Sequence, residues 1–291
     1  MTQGLLSVVA TPIGNLGDLS PRAVQALTDA ELVLCEDTRH TATLMRHLGL
    51  HRPLRSLHAH NETDQIPRIL QELAEGRRIA LVSDAGTPCL SDPGARLVDA
   101  VQQAGERIES IPGPFAAAVA LAASGFAPIP FAFWGFLAKK AGERRTELRA
   151  RLRPGPDGQP MTHAFYVPGR DLRDFVADLA EVAPVARVDV ARELTKIHEG
   201  HLRGTPAAID ALLLEEMLRG EAVVLVEVGA ASTPLSEAEA HDPAELVRKA
   251  REAGRDRKQA LRDIGQVTGL SRKALYSLWV SEVGAEGDAG D

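Results

Sequence analysis

Three predicted strands in the N-terminal half of this chain each run directly into a loop rich in proline and glycine. The segments 5–10 and 79–83 have the length and apolar character of a buried strand, and the third segment, 107–111, is also expected to be a strand. The loop after the first segment, 11–18, lacks the glycine spacing of a dinucleotide fingerprint, and alone it also fits an ordinary strand-to-helix turn. Three such loops at the carboxyl ends of parallel strands nevertheless predict a ligand site at one edge of a sheet.

The alternation of strand and helix patterns extends along most of the chain and predicts an α/β fold. Strand patterns lie near 5–10, 31–35, 54–58, 78–83 and 107–111. This alternation of strands and helices favours a parallel sheet that is covered by helices on both faces. Beyond Pro128 and Pro130, further strand patterns lie at 131–136, 162–167, 186–191, 197–203 and 222–228. A second α/β unit is therefore expected, and a cleft between two such units is a common place for a ligand.

Four parts are expected along the sequence. They are an N-terminal α/β domain at 1–124, a second α/β domain at 125–230, a small helix-turn-helix-like module at 243–280 and a disordered acidic tail at 281–291. The module comprises three short helical patterns, the last of them capped by Ser271, and it follows a polar linker at 231–242.

The composition is that of an ordinary soluble protein, with 44% hydrophobic and 25% charged residues. No basic leader precedes an apolar core, and the longest apolar run, 115–127, is too short to span a bilayer. Cys35 and Cys89 have neither zinc-ligand nor redox-pair spacing. The histidine pair His58 and His60 is expected to make loop hydrogen bonds or substrate contacts rather than to bind a metal. We therefore expect a cytoplasmic protein that holds no metal.

Five motifs make the interpretation more specific. They are TPIGNLGD at 11–18, EDTR at 36–39, LHAHNE at 57–62, SDAGTP at 83–88 with SDPG at 91–94, and IPGP at 111–114. In this order and spacing they resemble the tetrapyrrole-methylase superfamily, and within it the small-subunit (16S) rRNA cytidine-2'-O-methyltransferase branch. The resemblance covers essentially the whole chain. TPIGN and EDTR are its most specific parts, because corrin and porphyrin methylases are expected to carry a GxGPGD-type loop in place of TPIGN.

The resemblance implies a fold, a cofactor and a substrate. The fold would be two α/β domains of tetrapyrrole-methylase type with the cofactor cleft between them, plus the C-terminal helical module. The cofactor would be S-adenosyl-L-methionine, bound by Pro12, Gly14, Asp84, Gly86, Thr87, Pro88, Pro112 and Gly113. The substrate would be the ribose 2'-hydroxyl of a decoding-centre cytidine in 16S ribosomal RNA of the small subunit, and the enzyme would be a homodimer.

A ribose hydroxyl is a poor nucleophile near neutral pH and gains from a nearby base or cation. Glu36 and Asp37 follow an apolar strand at the predicted ligand edge, so both are candidate catalytic residues, and Lys196 is a third. Glu36, Asp37 and Arg39 fit a structural ion-pair cluster equally well.

The net charge of −7 does not favour RNA binding, but basic residues are concentrated at 139–153 and in the C-terminal module. The candidate RNA contacts are Arg39, Lys139, Lys140, Arg144, Arg145, Arg272 and Lys273. The alternative is a solvated helix face, which is the commoner role of a run of charges.

One segment departs from the family pattern. After Phe165 and Tyr166 the family usually continues with Glu-Ser and a His-Arg pair, whereas this chain has Val167-Pro168-Gly169-Arg170. The departure bears on substrate identity or efficiency rather than on the fold. Two other functions stay open at this point: a methylase of the same fold acting on a small tetrapyrrole, and a non-catalytic RNA- or ribosome-binding protein.

Overall fold

The computed structural model describes residues 3–229, 243–252, 255–268 and 272–284. These residues form two compact units, and the boundary lies between Ala116 and Ala117. The sequence places its first domain boundary at 124, so the structure assigns most of the small-residue helix before that position to the second unit. Each unit contains one five-stranded sheet with helices, which confirms the predicted α/β fold class.

The first unit is built on a parallel sheet. Its strands are β1 (Leu5–Val9), β2 (Leu32–Cys35), β3 (Leu54–Ser56), β4 (Arg78–Leu81) and β5 (Arg107–Ile111). The helices that follow the first four strands are α1 (Pro21–Asp29), α2 (Thr38–His47), α3 (Glu62–Ala74) and α4 (Ala95–Gln103). Strand β5 is followed by α5 (Ala116–Ser124), most of which belongs to the second unit. The strand order is β3-β2-β4-β1-β5, and neighbouring strands run parallel throughout this order. Because β4 lies between β2 and β1, the loops that follow these three strands are neighbours at one edge.

The pattern of burial explains why this sheet is covered on both faces. All four residues of β2 are buried, whereas the residues of β3 at the sheet edge are only half-buried. Val33 and Cys35 pack into one apolar cluster, and Leu32 and Leu34 pack into another. Successive side chains of a strand point to opposite faces, so β2 contributes to a separate core on each side of the sheet.

The first helix begins where the sequence indicates. The Ser20 hydroxyl accepts a hydrogen bond from the Ala23 N–H at 3.1 Å, and Pro21 occupies the first helical position. Proline fits this position because its backbone has no N–H to leave unpaired. The cap fixes the direction in which the chain leaves the loop after β1.

The second unit contains a mixed sheet. Its strands are β6 (Phe131–Phe133), β7 (Met161–Pro168), β8 (Arg187–Arg192), β9 (Gly200–Gly204) and β10 (Glu221–Val228), in the order β6-β7-β10-β8-β9. Only β6 and β7 pair in parallel among the described strands of this sheet. Its helices are α6 (Ala141–Arg151), α7 (Leu172–Val182) and α8 (Pro206–Leu212). The first and fourth predicted strands are shorter here, because β6 ends at Phe133 and β9 begins at Gly200.

The three predicted C-terminal helices are present as α9 (Pro243–Glu252), α10 (Arg257–Thr268) and α11 (Arg272–Gly284). Val247, Leu261 and Leu275 are buried in the same apolar cluster as the strands of the second sheet. The last helix continues to Gly284, so it extends four residues into the segment that was expected to be disordered. The described residues do not include Ser271, the linker 231–242 or the rest of the tail. None of the described helices combines the length and apolar character needed to cross a membrane.

Candidate active site

The loops after β1, β4 and β5 are tied to one another by hydrogen bonds. Thr11 and Gly86 exchange two backbone hydrogen bonds with N···O distances of 2.9 and 3.1 Å. The Thr11 hydroxyl donates to the Ser83 carbonyl at 3.2 Å, and the Thr87 hydroxyl donates to the Pro114 carbonyl at 2.8 Å. The three proline- and glycine-rich loops therefore form one connected surface at the carboxyl edge of the first sheet.

Two glycines in these loops are required by the space around them. Gly86 has φ +80°, and a Cβ there would lie 3.2 Å from Ile13 Cγ2 and 3.3 Å from the Pro114 carbonyl oxygen. A Cβ at Gly113 would lie 2.6 Å from the Cβ of Ala10, which is closer than two such atoms approach. The loops can come this close only where a side chain is absent.

The eight predicted cofactor-binding residues differ in exposure. Six of them reach the surface, wholly or in part: Pro12, Gly14, Asp84, Thr87, Pro112 and Gly113. Gly86 and Pro88 are buried, so they shape the loop without presenting a surface of their own.

Two carboxylates stand at the ends of neighbouring strands. Glu36 follows β2 directly and Asp84 follows β4, and Asp84 Oδ1 accepts a hydrogen bond from the Asp37 N–H at 3.2 Å. Partial burial raises the pKa of the Glu36 carboxyl, and the negative charge of Asp84 raises it further. The edge is therefore a site where a carboxyl holds a proton more readily than it does in water.

Asp37 has a different role. Its two carboxylate oxygens accept hydrogen bonds from the Arg39 side chain at 3.1 and 2.6 Å, and one of them also accepts from the Arg39 N–H at 2.8 Å. Hydrogen bonding to Arg39 holds the pKa of the Asp37 carboxyl well below its usual range. Asp37 also caps the start of α2. The structural ion pair suggested by the sequence thus joins Asp37 and Arg39, and Glu36 is not part of it.

Lys196 belongs to the second unit, whereas Glu36, Asp37 and Asp84 belong to the first. It lies on the loop between β8 and β9, and its Nζ is 3.2 Å from a carboxylate oxygen of Glu193. Two residues of this loop other than glycine, Glu193 and Thr195, have positive φ values of 50° and 67°. Such backbone is strained and persists only where surrounding structure enforces it.

His58 stands at the same edge as the carboxylates and was not among the residues selected from the sequence for catalysis. It follows β3 by two residues, and its ring meets the ring of His60 edge-on with centroids 6.0 Å apart. Within the described part of the chain, no group of three or more His, Cys, Asp and Glu residues is placed to hold a metal ion. The only sequence signal for His58 is the pair of histidines at strand spacing.

The basic segment 139–153 has both buried and exposed members. Arg144 is buried, and its Nε donates to Asp178 Oδ2 at 2.6 Å. Arg145 donates to the other oxygen of the same carboxylate at 3.0 Å. Lys139 and Lys140 are exposed. The structure thus places Arg144 in a buried ion pair, where a phosphate does not reach it, and leaves the two lysines on the surface.

The remaining candidate RNA contacts are Arg39, Arg272 and Lys273. The Arg39 side chain is 90% exposed while it holds Asp37, so it presents charge at the ligand edge. Arg272 is exposed at the start of α11. The side chain of Lys273 lies outside what the structure describes.

The segment that departs from the family pattern has a structural explanation. Val167 is buried, Pro168 ends β7, and the Gly169 N–H donates to the Gly220 carbonyl at 2.7 Å. A Cβ at Gly169 would lie 2.6 Å from the carbonyl carbon of Arg219. The backbone of Arg219 therefore leaves no room for a side chain at residue 169.

The family is shown by comparison with known proteins. Residues 5–210 match the family described as Tetrapyrrole (Corrin/Porphyrin) Methylases. The chain belongs to the tetrapyrrole methylase family. The fold is similar to that of uroporphyrin-III-C-methyltransferase from Thermus thermophilus, with a TM-score of 0.52 and 22% sequence identity; the match covers 77% of this chain and 94% of that chain. It is also similar to the fold of diphthine synthase, with a TM-score of 0.56 and 12% sequence identity; this match covers 77% of this chain and 90% of that chain.

The curated relatives are similar over nearly their whole length. The chain is 41% identical over 278 residues to Ribosomal RNA small subunit methyltransferase I of Xylella fastidiosa, which covers 94% of this chain and 98% of the relative. It is 38% identical over 289 residues to the protein of the same name from Escherichia coli, which covers 97% of each. The protein of that name from Synechocystis is 39% identical over 276 residues.

Proposed function

We propose that this chain is an S-adenosyl-L-methionine-dependent methyltransferase of 16S ribosomal RNA that acts on the ribose 2'-hydroxyl of a decoding-centre cytidine. The observation that carries the proposal is the near full-length similarity to proteins named Ribosomal RNA small subunit methyltransferase I. The connected surface of loops and the adjacent carboxylates support a reaction at the carboxyl edge of the first sheet. We further propose that the protein works in the cytoplasm as a homodimer.

The residues of the loop surface fit the cofactor. Gly113 and Gly86 keep side chains out of the places where the loops meet, so the peptide groups of Pro12, Gly14 and Pro112 are open to a ligand. The Asp84 carboxylate can accept hydrogen bonds beyond the one it receives from Asp37. When bound, S-adenosyl-L-methionine supplies a methyl group on an activated sulfonium. The chain's own task is to align the hydroxyl, exclude water and accept a proton.

Among the three catalytic candidates named from the sequence, we propose that Glu36 serves the reaction. Asp37 is held by Arg39 and has low proton affinity, and Lys196 is paired with Glu193. Glu36 follows β2 at the loop edge, where partial burial and the charge of Asp84 raise the pKa of its carboxyl. We therefore propose that Glu36 takes part in the reaction and that Asp37 holds the loop in its ordered conformation.

We propose that RNA is held by Arg39, Lys139, Lys140, Arg145, Arg272 and Lys273, and that the buried Arg144 supports the segment 139–153 from the interior. Arg145 is partly exposed, with 32% of its side chain accessible, so it can contact a phosphate while it binds Asp178. Phosphate contacts of this kind position an RNA without reading its sequence.

The exposed lysines give a test of this assignment. In the variant Lys139→Ala/Lys140→Ala we expect a lower affinity for small ribosomal subunits and a shallower dependence of log affinity on log salt, by about 0.7 for each phosphate that is no longer neutralised. The matched control is Arg149→Ala, which removes an exposed cation that is paired with Glu181 at 2.6 Å. Equal salt slopes for the double variant and the wild type would contradict the RNA role of the lysines.

The activity itself is tested by methyl transfer. Labelled S-adenosyl-L-methionine and the purified protein are incubated with small subunits that lack the modification, and the labelled nucleotide is mapped. We expect one label on the ribose 2'-oxygen of a decoding-centre cytidine. Label on a base, or on another nucleotide, would correct the substrate, and cofactor binding without transfer to any small-subunit RNA would refute the proposed reaction.

A further inference from the structure

The segment LHAHNE carries more polar side chains than its turn requires. Asn61 Oδ1 accepts from the His58 N–H at 2.8 Å, and Asn61 Nδ2 donates to the Ser56 carbonyl at 3.1 Å. Glu62 is buried, and its Oε1 accepts from the N–H groups of Gly94 and Leu97, both at 3.1 Å, at the start of α4. Asn61 and Glu62 are therefore explained by the architecture of the first unit.

The His58 side chain has no such explanation. Its Nδ1 is buried and has no hydrogen-bond partner among the described residues. A buried polar atom without a partner costs free energy that a folded protein normally avoids. By contrast, the backbone around this ring is tightly held, since Asn61 binds the His58 N–H and the Leu57 N–H donates to the Cys35 carbonyl at 2.8 Å. The backbone that carries the imidazole is thus fixed, while Nδ1 of the ring makes no hydrogen bond within the described residues.

The position of His58 connects it with the reacting edge. Strands β3, β2 and β4 are consecutive in the sheet, and their ends carry His58, Glu36 and Asp84. Both His58 and Asp84 lie within electrostatic range of the Glu36 carboxyl, and the two act on it with opposite sign. Strand ends of a parallel sheet meet at one edge, so one imidazole and two carboxylates share that edge.

We propose that His58 accepts the proton of the ribose hydroxyl and that Glu36 and Asp84 stabilise the imidazolium that forms. The proposal deepens the proposed function and rests on it. Glu36 then serves the reaction as the partner of the proton acceptor. The arrangement follows the general rule that a neutral imidazole near carboxylates is a competent base close to neutral pH.

Atoms and charge balance in this step. The hydroxyl oxygen forms a bond to the methyl carbon, and the carbon–sulfur bond breaks with its electron pair remaining on sulfur, which becomes a neutral thioether. The hydroxyl proton moves to Nε2 of His58, since Nδ1 is buried, so the positive charge that leaves sulfur is recovered on the imidazolium. Water takes this proton after the product leaves.

Other charged groups near the imidazole bear on its pH dependence. The loop after β2 also carries Asp37, whose charge is compensated by Arg39 at 2.6 Å. The loop after β3 carries His60, whose ring contacts that of His58. Glu36 and Asp84 are therefore the carboxylates at this edge that the proposal pairs with His58.

The kinetic test compares His58→Asn with the control His51→Asn, which changes an exposed histidine that precedes β3. We expect kcat of His58→Asn to fall by about 10²- to 10⁴-fold, while KM for small subunits and the affinity for S-adenosylhomocysteine stay within about threefold. The acidic limb of the pH profile of kcat, present in the wild type, should disappear in this variant. The control should keep both kcat and the acidic limb.

A second test needs no turnover. The ¹⁵N resonances of the His58 ring are recorded in the wild type, in Glu36→Gln and in Asp84→Asn. We expect the His58 ring signals to move in both variants, and the His60 signals to move less. Unchanged His58 signals, or a kcat of His58→Asn within threefold of wild type, would overturn the proposal. A wild type that transfers no methyl group would refute the proposed function instead, and the resonance test would still decide the coupling of His58 to Glu36.

Discussion

Asp178→Asn is expected to lower the free energy of unfolding by about 3–5 kcal/mol, because it leaves the Arg144 guanidinium buried without its counter-charge. The side chains of both partners are almost inaccessible, at 8% for Arg144 and 6% for Asp178, and the Nε···Oδ2 distance is 2.6 Å. Arg145 shares the same carboxylate at 3.0 Å, so the substitution removes that ion pair as well. Urea denaturation followed by circular dichroism measures the destabilisation as a lower midpoint.

A double variant should reverse the effect. In Arg144→Met/Asp178→Leu both charges are replaced by apolar side chains of similar size, and we expect most of the stability to return. Arg149→Ala is the surface control, since its ion pair with Glu181 joins two groups that are more than half exposed. Such pairs contribute about 0–1 kcal/mol. A destabilisation below about 1 kcal/mol for Asp178→Asn would contradict the importance of the buried pair.

Arg144 also shows what a count of charges cannot predict. The sequence places Arg144 in a basic segment beside Lys139 and Lys140, and nothing local separates the three residues. The partner that buries Arg144 lies 34 residues later, on α7. Only the packing of α6 against α7 distinguishes the cation that stabilises the fold from the cations that remain exposed.

The first unit was the part most open to prediction. Strands β1, β2 and β4 are short and largely apolar, and each strand is followed by proline, glycine or a capping residue, so the approximate bounds and the predicted ligand edge can be inferred from local pattern. The order β3-β2-β4-β1-β5 could not be inferred in this way, because it depends on how distant strands pair. That order brings the ends of β2, β3 and β4 together, so the relation of His58 to Glu36 emerges only in the folded chain.

Among the candidate catalytic residues, spacing in the sequence treats Glu36 and Asp37 alike. The backbone separates them, because Asp37 is the residue that caps α2 and binds Arg39, whereas Glu36 is the last residue before that turn. Their pKa values therefore move in opposite directions, by burial at Glu36 and by hydrogen bonding at Asp37. The two adjacent carboxylates thus differ in proton affinity because the chain turns into α2 between them.

Gly113→Ala is expected to weaken binding of S-adenosylhomocysteine by at least about tenfold, which is roughly 1.4 kcal/mol. The added methyl group would lie 2.6 Å from the Cβ of Ala10, at the place where the loop after β5 meets the end of β1. Neither atom belongs to a flexible side chain, so the two loops must separate, at a cost of about 1–3 kcal/mol. Isothermal titration calorimetry with the purified variant measures the affinity.

The cause of the weaker binding can be isolated with a compensating change. In Ala10→Gly/Gly113→Ala the methyl group moves from one loop to the other, and we expect the affinity to return to within about threefold of wild type. Gly142→Ala is the matched control, because a Cβ at Gly142 in α6 meets no atom within 4 Å. If Gly113→Ala bound the cofactor product as tightly as wild type, the loop after β5 would not be part of the cofactor surface. If the double variant stayed weak, the effect would come from the backbone freedom of glycine rather than from the proximity of Ala10.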